Sequence, residues 1–363
     1  MHAVLCSRYH ITGLVTALAV VAAPSGAQTE RKTLSGSSVA IYNIVGRVEV
    51  LPGSGSDVEV EIERAGSDAR KLTVEVGEVR GRNTLRIIYP DADIVYRDRN
   101  DHSGSWNTTL SVRSDGTWGG DRSDRGGWFS GGHRVKVKGS GSGTEAWANL
   151  RILVPAGKHL DVSLGVGELS ASRTSADLRL DAASAHISAT GTKGNLTIDA
   201  GSGGVEVRDA TGDDISLETG SGGVTATGIT GKRCKLDTGS GGLTGDGIDC
   251  DEISMDVGSG SIGVRDAKAN RVKLDAGSGG IRFALRNSPK YLDVNAGSGG
   301  VTISLPAIVN AEIDIETGSG SIESDFPVEV NRMERHHLRG KVGDGSGRFR
   351  IESGSGSVRL RKN

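Results

Sequence analysis

The chain has 363 residues, a formal net charge of −2 and 56 glycines, and only 4% of its residues are aromatic. A charge so close to zero excludes a broad electrostatic attraction for nucleic acid or for an anionic membrane surface. Glycine without a three-residue period excludes collagen and indicates many tight turns. No stretch beyond the first residues approaches the ~20 apolar residues of a membrane-spanning helix.

The N-terminus has the pattern of a secretory signal peptide. Arg8 and His10 precede an apolar run over residues 11–23, and small residues follow it. A basic region, an apolar region and a small-residue cleavage site in this order are typical of export signals. We therefore expect residues 1–27 to be removed and the mature protein to be exported, to the periplasm, the outer surface or the medium.

Residues 36–90 alternate apolar and polar side chains, for example from Val58 to Ile62. This period of two predicts β-strands, but the segment lacks the glycine period found further along the chain. A stack of repeats needs a terminal unit with a different outer face. We therefore expect residues 36–90 to form an N-terminal β cap.

Between residues 91 and 145 the composition changes to Gly, Ser, Asp and Arg. So long a polar interruption is expected to be a flexible insertion loop, with a short hairpin formed by residues 109–112 and 134–137. The loop carries Trp106, Trp118 and Trp128. Exposed on a loop, these side chains would bind a partner; alternatively, they pack locally and fix the loop.

Residues 147–361 contain a repeat of about 19 residues that is marked by glycine turns. The clearest copies begin at Gly201, Gly220, Gly239, Gly258, Gly277 and Gly297. Apolar residues stand five and three positions before each of these corner glycines and four positions after it, with polar residues between them. This pattern predicts two short strands per repeat, joined by turns.

A single repeat cannot bury its apolar side chains, whereas stacked repeats bury them in a continuous core. The sequence therefore predicts an all-β fold. Its main part is a parallel β-solenoid with two short strands per coil of about 19 residues and with the aliphatic rows pointing inward. Glycine suits the corners because it accepts positive φ and lets stacked turns approach closely.

An acidic row is the main candidate site. The positions two residues before the corner glycines hold Asp181, Asp199, Glu218, Asp237, Asp256, Asp275, Asn295, Glu316 and Glu352. Parallel stacking would place them side by side on an outward face, where cations such as calcium would relieve the repulsion between like charges. Alternatively, each side chain accepts hydrogen bonds from the backbone of its own turn.

The sequence contains no constellation typical of catalysis or of cofactor binding. The carboxylates are spread one per repeat, the Gly-Ser-Gly corner is neither a nucleophile elbow nor a phosphate loop, and His336 and His337 lack metal-ligand spacing. We therefore expect a protein without catalytic activity or cofactor. A polysaccharide-cleaving β-helix enzyme is the alternative, and a cleft where carboxylates of several coils converge would favour it.

Two cysteines remain after the predicted cleavage, Cys234 and Cys250. An oxidising compartment would permit a disulfide between them. The repeat register puts them about three residues out of line on adjacent coils. Spacing alone therefore leaves the bridge open.

Three segments carry a family resemblance: IYNIVGRVEVLPGSGSDVEVEIE at residues 41–63, NLRILVPAGKHLDVSLGVGELSA at 149–171 and DAGSGGVEVRDATGDDISLETGSGGVTATG at 199–228. They resemble a bacterial family of candidate adhesins with β-strand repeats and unknown function. The resemblance covers about residues 36–90 and 147–361 and leaves the insertion outside. It implies a parallel β-solenoid on an exported or envelope protein, a scaffold whose partner is an unknown protein or an envelope polymer. It supplies no catalytic or ligand-binding residues.

Overall fold

In this computed structural model, residues 29–97, 106–119 and 132–363 are described. They form 28 β-strands and a single turn of 3-10 helix, Ala69–Lys71. The prediction of an all-β protein is therefore confirmed. The expected signal peptide and Trp128 lie outside the described residues.

The N-terminal strands are β1 (Thr29–Leu34), β2 (Ser38–Pro52), β3 (Val58–Ala65), β4 (Thr73–Val79) and β5 (Arg82–Ile88). The insertion contributes β6 (Asp93–Val95), β7 (Asn107–Arg113), β8 (Gly132–Lys138) and β9 (Thr144–Glu145). The next strands are β10 (Trp147–Val154), β11 (His159–Ser172), β12 (Asp177–Thr190), β13 (Leu196–Ser202), β14 (Val205–Arg208), β15 (Thr211–Thr219), β16 (Val224–Thr238), β17 (Leu243–Val257), β18 (Ile262–Lys268) and β19 (Arg271–Ala276). The last are β20 (Ile281–Leu285), β21 (Tyr291–Ala296), β22 (Val301–Leu305), β23 (Ala311–Thr317), β24 (Ile322–Ser324), β25 (Glu329–Glu334), β26 (His337–Val342), β27 (Gly347–Ser353) and β28 (Val358–Lys362).

Successive repeats pair in parallel and in register. Leu178 lies opposite Leu196, which lies opposite Ile215 on the next strand. In each repeat, one strand segment precedes the corner and another follows it. Segments before the corner pair with one another, and segments after it pair with one another, so the stack has two sheet faces. The face before the corner runs through β11, β12, β13, β15, β16, β17, β19 and β21.

The aliphatic rows lie inside the stack. The row three positions before the corner is at most 1% exposed in every repeat and comprises Leu180, Ile198, Leu217, Leu236, Met255, Leu274 and Val294. Burying one such side chain contributes about 1.5–3 kcal/mol before entropy is subtracted. Because side chains alternate along a strand, fixing these residues inside fixes the acidic row outside.

The corner glycines are required by close approach of the turns. A Cβ added at Gly239 would lie 2.4 Å from the carbonyl oxygen of Gly220, and one at Gly241 would lie 1.9 Å from that of Gly222. Both distances are far inside van der Waals contact, and the obstacle is backbone that cannot rotate away. The first and third residues of these corners therefore admit only glycine.

The structure places Ser38–Pro52 differently from the expected separate cap. This strand pairs in parallel with β11, with Val39 opposite Leu160 and Gly46 opposite Gly167. It is a degenerate repeat whose corner is Ile44-Val45-Gly46 instead of Gly-Ser-Gly. Near this strand, antiparallel pairs join β1 to β3, β3 to β10, and β4 to β5.

The described parts of the insertion are ordered into strands rather than an extended loop. β7 and β8 form the predicted hairpin, with Leu110 opposite Val135. Together with β6 and β9 they make a four-stranded sheet. Leu110, Val112, Val135 and Val137 are buried and join the main hydrophobic core, which fixes this polar segment to the stack.

The C-terminal repeat is not stacked in chain order. β27 pairs in parallel with β21 on one side and with β23 on the other, and β28 lies in the same way between β22 and β24. Beyond β23, the antiparallel strands β26 and β25 complete this sheet face. The end of the chain is thus inserted between two earlier repeats.

Candidate functional site

The acidic row forms a continuous ladder across the sheet face before the corner. Asp181 lies opposite Asp199, followed in register by Glu218, Asp237, Asp256, Asp275 and Asn295. These side chains are half-buried to exposed. We call this row the acidic ladder. Because neighbouring strands are about 4.8 Å apart, each carboxylate is close to the next.

The inserted C-terminal repeat changes the order at the end of the acidic ladder. Glu352 lies opposite both Asn295 and Glu316. The ladder therefore ends Asn295, Glu352, Glu316, whereas the sequence order places Glu316 next to Asn295. His337 continues the row beyond Glu316, and its Nε2 lies 2.8 Å from Asp314 Oδ1.

Within the acidic ladder, Asp256 shows the combined effect of burial and of like-charged neighbours. Burial, followed by the charges of Asp237 and Asp275, raises the pKa of Asp256 above its ordinary value. Repulsion is partly relieved elsewhere, because Lys235 Nζ lies 2.6 Å from Glu218 Oε1. Asn295 interrupts the row of charges and donates to Asp275 at 3.4 Å.

In several repeats a hydroxyl group caps the corner. The backbone N–H of Gly241 donates to Thr238 Oγ1 at 3.1 Å, and that hydroxyl donates to the carbonyl of Gly222 at 2.8 Å. Thr219 and Ser353 occupy the equivalent position and act in the same way. These residues follow the acidic position directly and point inward, so their hydroxyls reach the turn while the carboxylates point away from it.

Among the described residues, no group of three His, Cys, Asp or Glu side chains converges to hold a metal ion. The carboxylates of the acidic ladder stand in a single row, so a cation bound there would have carboxylate ligands on one side only. Calcium usually takes six to eight oxygen ligands that surround it. The calcium-binding alternative therefore gains no support from the geometry.

Cys234 and Cys250 form a disulfide between β16 and β17, with their Cα atoms 6.2 Å apart. Cys250 lies opposite Gly231 rather than Cys234, so the cysteines are three residues out of line, as the spacing indicated. The bridge forms because both side chains point into the core, where they are at most 2% exposed. The Cα separation lies within the usual range for disulfides.

The two described tryptophans of the insertion pack locally. Trp118 is 3% exposed and belongs to the main core, and Trp106 is partly buried against it. Trp118 lies in the turn after β7, which Arg86 fixes to the sheet by donating to the carbonyl of Asp115 at 2.6 Å. In this position the ring is closed to an outside partner, although Trp118 is one of the residues that line a cleft.

This cleft lies between the turn and the first strands of the acidic-ladder face. It has a volume of about 370 Å³, and the residues that line it include Tyr42, Arg82, Trp118, Asp161, Arg179 and Asp181. We call it the Trp118 cleft. It brings together two candidates from different parts of the sequence, Trp118 and the first member of the acidic ladder, Asp181.

Asp161 and Asp181, which both line the Trp118 cleft, have different electrostatic surroundings. Asp161 is paired with Arg82, and its Oδ1 lies 3.0 Å from His159 Nε2. Burial, followed by the charge of Asp199, raises the pKa of Asp181 to about 6. The turn lies directly over this carboxylate, because a Cβ added at Gly119 would be 3.1 Å from Asp181 Oδ2.

Sequence reasoning identified Trp118 and Asp181 separately but missed the cleft. Tyr42 and Ser163 continue the row of Asp181 toward the N-terminus, and Arg82 comes from the strand beside β2. The signal in the sequence was the corner Ile44-Val45-Gly46, which matches Gly165-Val166-Gly167. It would have placed β2, and with it Tyr42, in the same stack.

The sequence matches the family Toastrack DUF4097 over residues 121–361. This is more than half of the chain, and the protein belongs to this family, whose function is unknown. Membership confirms the resemblance seen in the repeats.

Other comparisons add little. No curated protein has a sequence that matches this chain significantly. The crystal structure of a candidate cell adhesion protein from Clostridium sporogenes ATCC 15579 aligns with 93% of this chain and 100% of that chain, at 11% identity and a TM-score of 0.25. That likeness is too weak to transfer fold or function. In the three described ranges, no helix is long and apolar enough to span a membrane.

Proposed function

We propose that this protein is an exported, non-catalytic β-solenoid scaffold that binds a cationic partner through the acidic ladder. The repeat family and the in-register parallel strands support the scaffold, and the signal pattern of residues 1–27 supports export. In this proposal the mature chain comprises the N-terminal strands, the insertion at 91–145 and the repeats at 147–361, with Ser38–Pro52 added to the stack.

The observation that carries the proposal is the unbroken run of carboxylates from Asp181 to Asp275. Holding like charges on neighbouring strands costs free energy, and the charges of Asp237 and Asp275 add to burial in raising the pKa of Asp256. A repeat protein could avoid the cost by alternating charges. This protein alternates charges in another row, which lies four positions further from the corner than the acidic ladder. In that row Asp214, Arg233, Glu252 and Arg271 follow one another in register.

The two rows lie on the same face but have opposite electrostatic character. The alternating row neutralises itself, as in the 2.5 Å contact of Arg233 Nε with Asp214 Oδ1. The acidic ladder leaves a line of negative potential along a rigid sheet. A protein segment or envelope polymer with regularly spaced positive charges would relieve the repulsion when it binds.

A co-sedimentation experiment with bacterial envelope fractions tests this proposal. The ladder variant carries Asp237→Asn, Asp256→Asn and Asp275→Asn. The matched control carries Asp213→Asn, Asp246→Asn and Asp249→Asn, which make the same change in net charge on residues already paired with Lys232, Arg265 and Lys268.

We expect wild type and control to bind with equal affinity and the ladder variant to bind at least tenfold more weakly, with a steep loss of wild-type binding in salt. Equal binding by all three proteins would contradict the role of the acidic ladder. Recovery of the mature protein in the cytoplasm after cell fractionation would contradict export.

Polysaccharide cleavage is a second candidate, favoured by one observation. Carboxylates of neighbouring repeats, Asp161 and Asp181, line one cleft, and the pKa of Asp181 is raised to about 6, as suits a general acid. Against it, Asp161 is ion-paired with Arg82, and His159 Nε2 lies 3.0 Å from its Oδ1, so this carboxylate is held by basic neighbours rather than open to a substrate. Release of reducing ends from polysaccharides by wild type, abolished by Asp181→Asn, would favour the enzyme over the scaffold.

A further inference from the structure

The C-terminal end of the stack has an open sheet edge. β25 pairs with β26 on one side, and no strand of the described residues pairs with its other side. All six residues of β25 are exposed. An edge strand presents unpaired backbone N–H and C=O groups, which form a template for pairing with another strand.

The apolar rows of the core continue onto β25 and are left uncovered there. Val330 lies opposite Gly340, and Met333 lies opposite the buried Leu338. Both side chains therefore lie on the inward side of the sheet, yet Val330 is 49% and Met333 75% exposed. A stack of repeats needs a terminal unit that covers its core, and β25 leaves the last apolar residues open.

The edge strand at the N-terminal end is protected in a way that β25 is not. β1 pairs with β3 on one side, and its charged side chains form ion pairs: Arg31 lies 2.5 Å from Glu61, and Lys32 lies 2.8 Å from Glu30. Charged side chains on an edge strand, lysine above all, discourage pairing with other chains. β25 has no lysine and carries two exposed apolar residues, so it is the more open of the two edges.

The outward charges beside β25 indicate what should pair with it. Across the last strands of this face, the residues in register are Asp293, Arg350, Asp314, Arg339 and Arg332. Charges alternate as far as Arg339, and then two arginines are adjacent. Opposite charges on neighbouring strands stabilise a sheet, so a carboxylate on a strand added beside Arg332 would restore the alternation.

A second copy of β25 supplies that carboxylate. Two copies that pair in antiparallel orientation about Met333 place Arg332 of each copy opposite Glu334 of the other, because these residues lie one position on either side of Met333. The two methionines then lie opposite each other on the inward side. Within one copy, Arg332 Nε lies 2.8 Å from Glu334 Oε1, so the four charges would form one alternating cluster.

We propose that β25 is a dimerisation edge, at which a second copy of this chain adds its own β25 in antiparallel orientation centred on Met333. The interface is isologous, with the same residues contributed by both copies. It contains no residue of the acidic ladder. The proposal therefore does not depend on the function proposed for the ladder, and it is tested by a different measurement.

Sedimentation equilibrium of the full mature chain tests the proposal. Arg332→Glu places glutamates opposite each other in the dimer, and Glu334→Arg places arginines opposite each other. The matched control, Arg208→Glu, makes the same change of charge in an exposed residue that is paired with Glu206 on β14.

We expect wild type and control to dimerise equally, and each β25 variant alone to dimerise at least tenfold more weakly. An equimolar mixture of Arg332→Glu and Glu334→Arg should recover dimers, because every charge then lies opposite one of the other sign. A role of these residues in folding alone would not produce this recovery.

Met333→Cys provides an independent measurement. Antiparallel partners have Cα atoms about 4.5–5.5 Å apart, which is within disulfide range, so mild oxidation should link two copies covalently. Ile308→Cys is the control, since Ile308 is 77% exposed but lies in the turn between β22 and β23.

A wild-type chain that stays monomeric up to about 0.1 mM would overturn the proposal. Dimers that both Arg332→Glu and Glu334→Arg leave intact would also overturn it. So would Met333→Cys if it forms linked dimers no faster than Ile308→Cys.

Discussion

At the residue scale, the corner glycines show that one added Cβ atom would keep neighbouring repeats from stacking. Sequence reasoning placed glycine at the corners for positive φ and for close approach, and at Gly239 and Gly241 the contacts that an added Cβ would make identify close approach as the reason. The fourth corner position is different, since a Cβ at Gly242 would lie 3.4 Å from its nearest neighbour, the carbonyl of Ser261. Serine occupies that position in other corners.

Gly239→Ala should therefore destabilise the protein, whereas Gly242→Ala should not. The first substitution forces the Gly220 and Gly239 turns apart and disrupts the hydrogen bond from Gly239 N–H to the carbonyl of Thr219, at a cost of about 2–4 kcal/mol. The second should change the free energy of unfolding by less than about 0.5 kcal/mol. Chemical denaturation of both variants measures the difference, and equal stability would mean that the turns are not in contact.

The raised pKa of Asp181 predicts a pH dependence of stability. A carboxyl whose pKa is about 6 in the folded protein and near 3.8 in the unfolded chain costs no stability while it is protonated. The cost develops as the pH rises from about 4 to 6 and remains above that range. Removing the charge should therefore stabilise the protein at neutral pH.

Asp181→Asn should raise the free energy of unfolding at about pH 7 by up to roughly 2–3 kcal/mol, and the gain should shrink toward pH 4. Denaturation curves at the two pH values measure it, with Asp246→Asn, on the exposed surface, as the control. A gain that is the same at both pH values would mean that the ionisation of Asp181 is not its source.

At the element scale, the strands and their inward rows were predictable, because alternation of apolar and polar residues reports burial directly. Leu236 and its neighbours in the row illustrate this. The place of the terminal strands was not predictable in the same way. β2 lacks the Gly-Ser-Gly corner, and nothing in the spacing of Phe349 and Ile351 indicates that β27 enters between β21 and β23. The burial of Leu110 and Val135 in the main core was hidden by the polar composition around them.

Removing residues 347–363 tests the insertion of the C-terminal repeat. Since β27 and β28 lie between earlier repeats, their loss should expose both Tyr291–Ala296 and Ala311–Thr317. Hydrogen exchange measured by mass spectrometry should then show faster exchange in both segments, while β12 to β15 stay protected. If the repeats were stacked in chain order, only the segment after residue 311 would change.

At the scale of the whole molecule, stacking of the repeats turns the alternation of inward and outward side chains into an extended surface. Each corner fixes an inward row and an outward row, and stacking aligns the outward residues into lines that cross the sheet face. The acidic ladder is one such line, and the Trp118 cleft forms where the insertion covers its first member. The sequence predicted the line but not the cleft, because the cleft depends on contacts between segments far apart in the chain.

Pulsed electron paramagnetic resonance between spin-labelled cysteines on one outward row tests the stacked arrangement most directly. Thr197 lies in register with Ser216, Lys235, Ser254, Lys273 and Asp293, and then with Arg350 and Asp314. At about 4.8 Å per strand, the distance from Thr197 should grow to about 24 Å at Asp293 and to about 29 Å at Arg350. Asp314 should lie one strand further away than Arg350. Distances that fail to grow with the number of strands, or an Asp314 label closer to Thr197 than the Arg350 label, would contradict the stack described here.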